Sequence, residues 1–271
     1  MKKKSKRSLA LLLISALLAG ILPLSGSAPV QAAGYGLNNP TTDANGITTW
    51  DCIWFGNYWQ EDTNGDGKAD KNDAKQPIKW RVLSVEGDDA FLLADKNIDV
   101  QQYNKNYVDV TWETCTMRSW LNGYGAETNQ PGEDFRTNNF LDYAFSGNEQ
   151  KAIRTTNVVN NDNPTYGTEG GNDTKDKVYL LSIDEVTNPE YGFTSSTNST
   201  DTREAANTAY VADGGEIKSS SMGSAGSADD WWLRSPGDDS YYASDVDSNG
   251  SVNTCGSSAT TVMTPLGRLC I

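Results

Sequence analysis

Residues 62–73 read DTNGDGKADKND, a spacing of oxygen-bearing side chains that could hold calcium. Asp62, Asn64 and Asp66 stand at loop positions 1, 3 and 5, and Gly67 stands at position 6, where such a loop turns sharply. Lys68 at position 7 would offer its carbonyl, Asp70 at position 9 would act directly or through water, and Asp73 at position 12 would close the shell. Calcium takes about six to eight hard oxygen ligands, which this pattern can supply. Position 12 is Asp rather than the longer Glu, and position 8 is the small Ala69. The alternative is an acidic surface turn that binds nothing tightly.

A second concentration of chemistry-bearing residues is WWLRSPG at 231–237, with Trp112 and Glu113 upstream. A sugar face stacks on an aromatic plane while carboxylates and amides take its hydroxyls. Trp112, Glu113, Trp232 and Arg234 are therefore the candidates for a ligand surface. On a strand Trp231 and Leu233 face one way and Trp232 and Arg234 the other, so one tryptophan is expected in the core. The competing reading puts most of the tryptophans in the core. Arg118 and Arg234 suit bidentate pairing with internal carboxylates.

Catalysis has fewer options. The chain has no histidine, which excludes Ser-His-Asp and Cys-His machinery and makes a zinc or copper site improbable. Paired carboxylates could hydrolyse a polysaccharide without histidine. Glu113, at the start of an expected helix, is one candidate acid, and Asp245 and Asp247 share a strand face. Catalytic residues are assigned to none of these.

Export is read from the first 32 residues. Lys2, Lys3, Lys4, Lys6 and Arg7 precede an apolar run over 9–24, and Val30 and Ala32 offer a small-residue cleavage site. The run is shorter than the roughly 20 residues a membrane span needs. Without the five basic residues of the leader, 17 basic residues face 36 acidic ones, a net charge near −19 over 239 residues. Such a surface repels nucleic acid and anionic membrane. A secreted or extracellular protein is expected, at the cell surface or free in the medium, with no membrane insertion once the leader is cleaved. Four cysteines, Cys52, Cys115, Cys255 and Cys270, allow three disulfide pairings, all of them open.

The elements that must position these groups are short. A loose arm is expected over 33–49 and one domain over 50–271, with the loop 62–73 set between strands. Strands are expected at 77–83 and 90–93 around a turn at 86–89. A helix is expected over 111–122, capped by Thr111 or Thr114 and ended by Gly123. Ser146 with Glu149, and Ser182 with Glu185, have the spacing of capping boxes. A polar loop spans 160–176, and residues 187–229 are mostly loop. A hairpin follows around Asn249 and Gly250. This mixture, without long βαβ units, points to α+β.

The segments WFGNY (54–58), PIKWRVL (77–83), TWET (111–114), RSWLN (118–122) and WWLRSPG (231–237), with Phe140, Leu141 and residues 176–186, resemble an uncharacterised family of exported bacterial domains. The resemblance spans about residues 50–255. It implies a C-type-lectin-like domain with short strands, two or more helices and long loops, a fold shared with formylglycine-generating enzymes. The reactive cysteine pair of those enzymes has no counterpart here. The family closes on a glycine-valine-arginine-proline strand, whereas TPLGRLCI at 264–271 carries similar residue types in another order, which leaves the pairing of Cys270 open. The loop 62–73 resembles a single dockerin or EF-hand loop without a second copy. Together these imply a secreted or surface-bound binding or adhesion module for an extracellular glycan or a surface protein, stabilised by calcium. A secreted polysaccharide hydrolase is the alternative.

Overall fold

A computed structural model describes residues 36–271. The leader at 1–32 and the first residues of the arm lie outside the described residues. Residues 41–49 carry a small antiparallel pair, Thr41–Thr42 with Thr48–Thr49. The Asn39 side chain accepts a hydrogen bond from the Val85 amide, which ties this segment to the domain.

Eight strands build the two larger sheets: β1 (Cys52–Tyr58), β2 (Gln76–Glu86), β3 (Asp89–Ala94), β4 (Val178–Tyr179), β5 (Trp231–Pro236), β6 (Tyr242–Val246), β7 (Val252–Ser258) and β8 (Arg268–Cys270). The first sheet has the order β4-β8-β3-β2-β1, and the second is the meander β5-β6-β7; every pairing is antiparallel. Five short helices, α1 (Thr116–Asn122), α2 (Phe140–Ala144), α3 (Gly147–Ala152), α4 (Ile183–Val186) and α5 (Ala209–Ala212), complete a mixed α+β domain with long loops.

Local signals explain most of these boundaries. The β2–β3 hairpin follows the alternation of Ile78, Trp80 and Val82, all buried. The expected helix over 111–122 is split into a 3-10 turn, Trp112–Thr114, and α1. Cys115 breaks it with an extended backbone, and its sulfur caps α1 by accepting from the Arg118 amide. Gly123 ends α1 in the left-handed conformation that glycine adopts without strain. Both capping boxes form, Ser146 with Glu149 on α3 and Ser182 with Glu185 on α4. Gly56 bends β1 at a bulge with φ near 70°, and a Cβ there would lie 2.5 Å from the Phe145 ring. That space is filled by the packing of Phe55, Trp80 and Phe145 rings.

The core is aromatic. Tyr58, Trp59, Phe140 and Tyr210 pack ring against ring under the first sheet, and Tyr103 joins Trp112 to Trp232. Between the sheets sits a charged centre. Glu185 on α4 accepts hydrogen bonds from Arg234 of β5 and from Arg268 of β8. Both arginines are buried. Arg234 also donates to the carbonyls of Leu180 and Val159, at 2.8 and 3.0 Å. The Arg268 guanidinium lies 4.8, 5.2 and 5.1 Å from the rings of Phe91, Tyr179 and Tyr191. The residues near the C-terminus thus form an interior strand, with Arg268 as an ion-pair partner and Cys270 buried in the sheet.

Burial alone would raise the Glu185 carboxyl. The charges of Arg268 and Arg234, with hydrogen bonds from Arg234 and the Ser182 amide, outweigh it and hold the group at about 2. A folded pKa below the unfolded value gives stability that is full above the unfolded pKa and is lost as pH falls through the folded one. Glu185→Gln should therefore cost on the order of 3 kcal/mol near neutral pH, with the difference from the parent closing between about pH 5 and pH 2. Denaturant unfolding of both proteins across that range measures it; a pH-independent gap would contradict the assignment.

Candidate functional site

The loop 62–73 uses its acidic oxygens on its own backbone. Asp62 accepts from the amides of Gly65 and Gly67, at 2.7 and 2.8 Å. Asn64 accepts from the amide of Asp66, Asp66 from Lys68 and Asp70 from Asn72, at 2.8, 3.0 and 2.7 Å. Asp73 is buried and takes the amides of Thr63, Asn64 and Asp70, at 2.7, 3.0 and 2.8 Å, together with the Thr63 hydroxyl. Among the described residues no group of three or more His, Cys, Asp or Glu side chains is placed to hold a metal ion. This overturns the expectation of calcium at Asp62, Asn64, Asp66, Lys68, Asp70 and Asp73. The oxygens that would ligate the ion close successive turns instead. The loop is anchored by buried Ala69, whose amide donates to Asp213 at 2.7 Å, and by Lys71, which pairs with Glu216 and lies 4.3 Å over the Tyr143 ring.

The expectation of disulfides is also corrected: Cys52, Cys115, Cys255 and Cys270 are all free. Each belongs to a different element. Cys115 caps α1, Cys270 lies within the first sheet, and Cys52 and Cys255 are exposed on β1 and β7. Burial pushes the Cys115 thiol up to about 12 and the Cys270 thiol to about 11, which makes both inert at neutral pH.

Three of the four residues expected on a ligand surface are in the core. Trp112 and Trp232 are 0% exposed and Arg234 is buried against Glu185. Both faces of β5 are covered, so Trp231 and Trp232 are core residues together. Their indole N–H groups donate to the carbonyls of Arg203 and Gln101, at 3.0 and 3.2 Å. Trp112 serves a second buried charge. Its Nε1 donates to Asp176 at 3.0 Å, as do Arg118 Nε at 2.8 Å, the Thr174 hydroxyl at 2.6 Å and the Tyr124 hydroxyl at 3.2 Å. Arg118 and Arg234 both pair with internal carboxylates, as their residue type suggests.

Glu113 alone stays at a surface opening. It lines a cleft of about 440 Å³ with Thr114, Arg118, Glu127, Thr128, Asn129 and Gln130. The turn Trp112–Thr114 supplies one wall and the turn Ala126–Thr128 the other. Asp176 sets the position of Arg118, which also donates to the Glu113 carbonyl at 2.9 Å. Asn172 donates to one Glu113 carboxylate oxygen at 2.9 Å. The Ser119 and Thr128 hydroxyls, 2.9 Å apart, tie the second wall to α1. The result is a hydrogen-bonded floor bordered by carboxylates, amides and hydroxyls.

Asp245, on β6, is buried and pushed up to about 7. Burial is the main cause, Asp247 and Asp230 add to it, and hydrogen bonds from Ser257 and Asn253 oppose it. It lines neither this cleft, nor a hollow beside Trp54, nor a cleft of about 400 Å³ between Asn39 and Tyr191. Asp99 is likewise buried and raised to about 7 by burial, while accepting from the Tyr58 hydroxyl and the amides of Val100 and Glu216. The turn Ala126–Thr128 was not expected from the sequence, so Glu127 and Gln130 were missed. Gly125 before this turn was the only local signal.

The cleft falls within residues 87–267, which match a family described as a domain of unknown function, DUF6273. The chain belongs to this family. The DUF6273 match begins at the β2–β3 turn and ends just before β8, so WFGNY and PIKWRVL precede it, as does the loop 62–73. Comparison with curated proteins and with solved structures gives no match. Among the described residues no helix is long and apolar enough to cross a membrane.

The position of Arg118, and hence the floor of the DUF6273 cleft, depends on Asp176. Asp176→Ala would leave Arg118, Trp112 and Thr174 without their shared acceptor and should lower stability by about 3–5 kcal/mol. Chemical denaturation measures this; a loss below about 1 kcal/mol would mean that the pair is not a structural centre.

Proposed function

We propose that the chain is an exported, non-catalytic binding module whose ligand surface is the cleft bounded by Glu113, Arg118, Glu127 and Gln130. The ligand class that fits is a hydroxyl-rich glycan. The observation that carries this reading is the cleft itself: about 440 Å³ lined by two carboxylates, four amide- or hydroxyl-bearing residues and one guanidinium. The Gln130 backbone N–H donates to the Thr114 carbonyl at 2.7 Å, while the side chains of Glu127 and Gln130 border the cleft without a hydrogen bond to another described residue. Convergent polar groups of this kind take sugar hydroxyls, whereas a protein partner would ask for an exposed apolar centre. The leader-like residues at 1–32 and the acidic composition support an extracellular setting. The mixed α+β fold with short strands and long loops is compatible with a C-type-lectin-like domain, which we include in this reading.

A second reading has one specific support. Glu113 and Glu127 line the same cleft, and hydrolysis of a glycosidic bond uses two carboxyl groups. One experiment separates the two. The protein is screened against a panel of immobilised bacterial and plant polysaccharides, then incubated with each bound polysaccharide while reducing ends are counted. Binding without new reducing ends, weakened about tenfold or more in a Glu127→Gln, Gln130→Ala double variant, is the expected result. Reducing ends that vanish in Glu113→Gln would establish the hydrolase. Binding unaffected by the double variant would remove the cleft from the argument.

A further inference from the structure

Of the eight tryptophans, seven are buried or half-buried, and Trp54 is 66% exposed. Its place on β1 explains this. β1 is the edge of the first sheet, with Ile53 and Phe55 packed against the core and Trp54 turned to the other face. A lone exposed ring is ordinary on a protein surface. Here it borders a hollow of about 70 Å³. Buried Ile78 and Ile98 line that hollow, and Gln60, Lys79, Asp95 and Lys96 supply its polar groups.

The polar groups are held in place by the sheet. Trp54 pairs in register with Lys79, so both side chains share a face. The Asp95 amide donates to the Lys79 carbonyl at 3.0 Å, and the Lys79 ammonium lies 3.1 Å from the Asp95 carboxylate. Gln60 gives its side-chain N–H groups to the carbonyls of Gln76 and Pro77, at 3.1 and 3.0 Å, and its side-chain oxygen is used in none of these bonds. A flat apolar ring therefore stands beside a small pocket with an apolar lining and acceptor oxygens at its edge.

We infer that this is a binding site for a 2-acetamido sugar within a glycan chain. The hollow is too small for a pyranose ring but matches an acetamido substituent. The C–H face of the pyranose lies on the Trp54 indole. The acetamido group enters the hollow beside the ring, and its N–H is taken by an oxygen of Asp95 or Gln60. Lys79 is within reach of the ring hydroxyls. Net charge favours an uncharged sugar over a uronate, since the whole chain carries −14. The site shares no residue with the cleft at Glu113, so it stands or falls independently of that proposal.

The test uses the full chain with two probes of equal length and linkage: a β-1,4-linked hexamer of N-acetylglucosamine, and the glucose hexamer that lacks the acetamido groups. Titration calorimetry and tryptophan fluorescence read binding. The expected result is binding of the acetylated hexamer with a change in Trp54 emission, and affinity for the glucose hexamer lower by about tenfold or more. Trp54→Ala should lose about tenfold or more while keeping the parent melting temperature, because the ring is exposed. The Glu127→Gln, Gln130→Ala variant should bind the acetylated hexamer as the parent does. No binding of the acetylated hexamer, equal binding of both hexamers, or full binding by Trp54→Ala would overturn the inference. Loss of binding only in the cleft variant would overturn it and leave the cleft proposal standing.

Discussion

One carboxylate between two arginines joins the two sheets of this domain. Glu185 lies on α4, directly after the strand β4; Arg268 lies in the interior strand β8, and Arg234 in β5 of the second sheet. Removing one member of such a group leaves an unpaired charge inside the protein, which is why breaking a buried pair costs far more than the pair contributes against apolar replacements. Glu185 also closes the capping box of α4 by accepting the Ser182 amide. The same side chain therefore sets a helix start and ties it to strand residues 49 and 83 positions further along the chain. The rings of Phe91, Tyr179 and Tyr191 around Arg268 exclude water from the centre and strengthen its electrostatics.

A related device holds the polar stretch that follows α4. Residues 187–229 have few apolar side chains, yet they are ordered around Arg203, which is fully buried. Its guanidinium donates to the carbonyls of Gly250, Val186, Thr194 and Asn198. Its own carbonyl accepts the Trp231 indole. One cation thus supplies four distant backbone acceptors that would otherwise face a dry interior. Burial lowers its pKa, but a guanidinium starts so high that it stays charged. Charge-assisted bonds to backbone do here what apolar contacts do under the first sheet.

Much of this was legible from local signals. Both capping boxes, the β2–β3 hairpin, the glycine that ends α1 and the Asn249–Gly250 turn follow from residue types a few positions apart. Partners far along the chain were not. Nothing near Glu185 announces Arg268, and nothing in WWLRSPG shows that loops cover both faces of β5. The loop 62–73 misled for a more specific reason. An Asp or Asn side chain accepts readily from the amide two residues on, so acidic residues spaced by two build consecutive turns. Calcium loops use the same spacing to aim oxygens inward. Asn64, Asp66 and Asp70 each take the amide two residues on, and the two architectures share one sequence pattern.

The exposed tryptophan raises a problem that the edge strand answers. An apolar ring on an unpaired strand edge invites association with another chain. Gly56 interrupts β1 two residues beyond Trp54, and the bulge there bends the strand and shortens the regular edge on offer. Lys79 and Asp95, in the row beside the ring, would have to be desolvated by a docking sheet. A small ligand meets neither obstacle, because it can stack on the ring while leaving those charges hydrated or using them as hydrogen-bond partners. The same features that discourage edge-to-edge pairing therefore leave the Trp54 face open to a sugar-sized group.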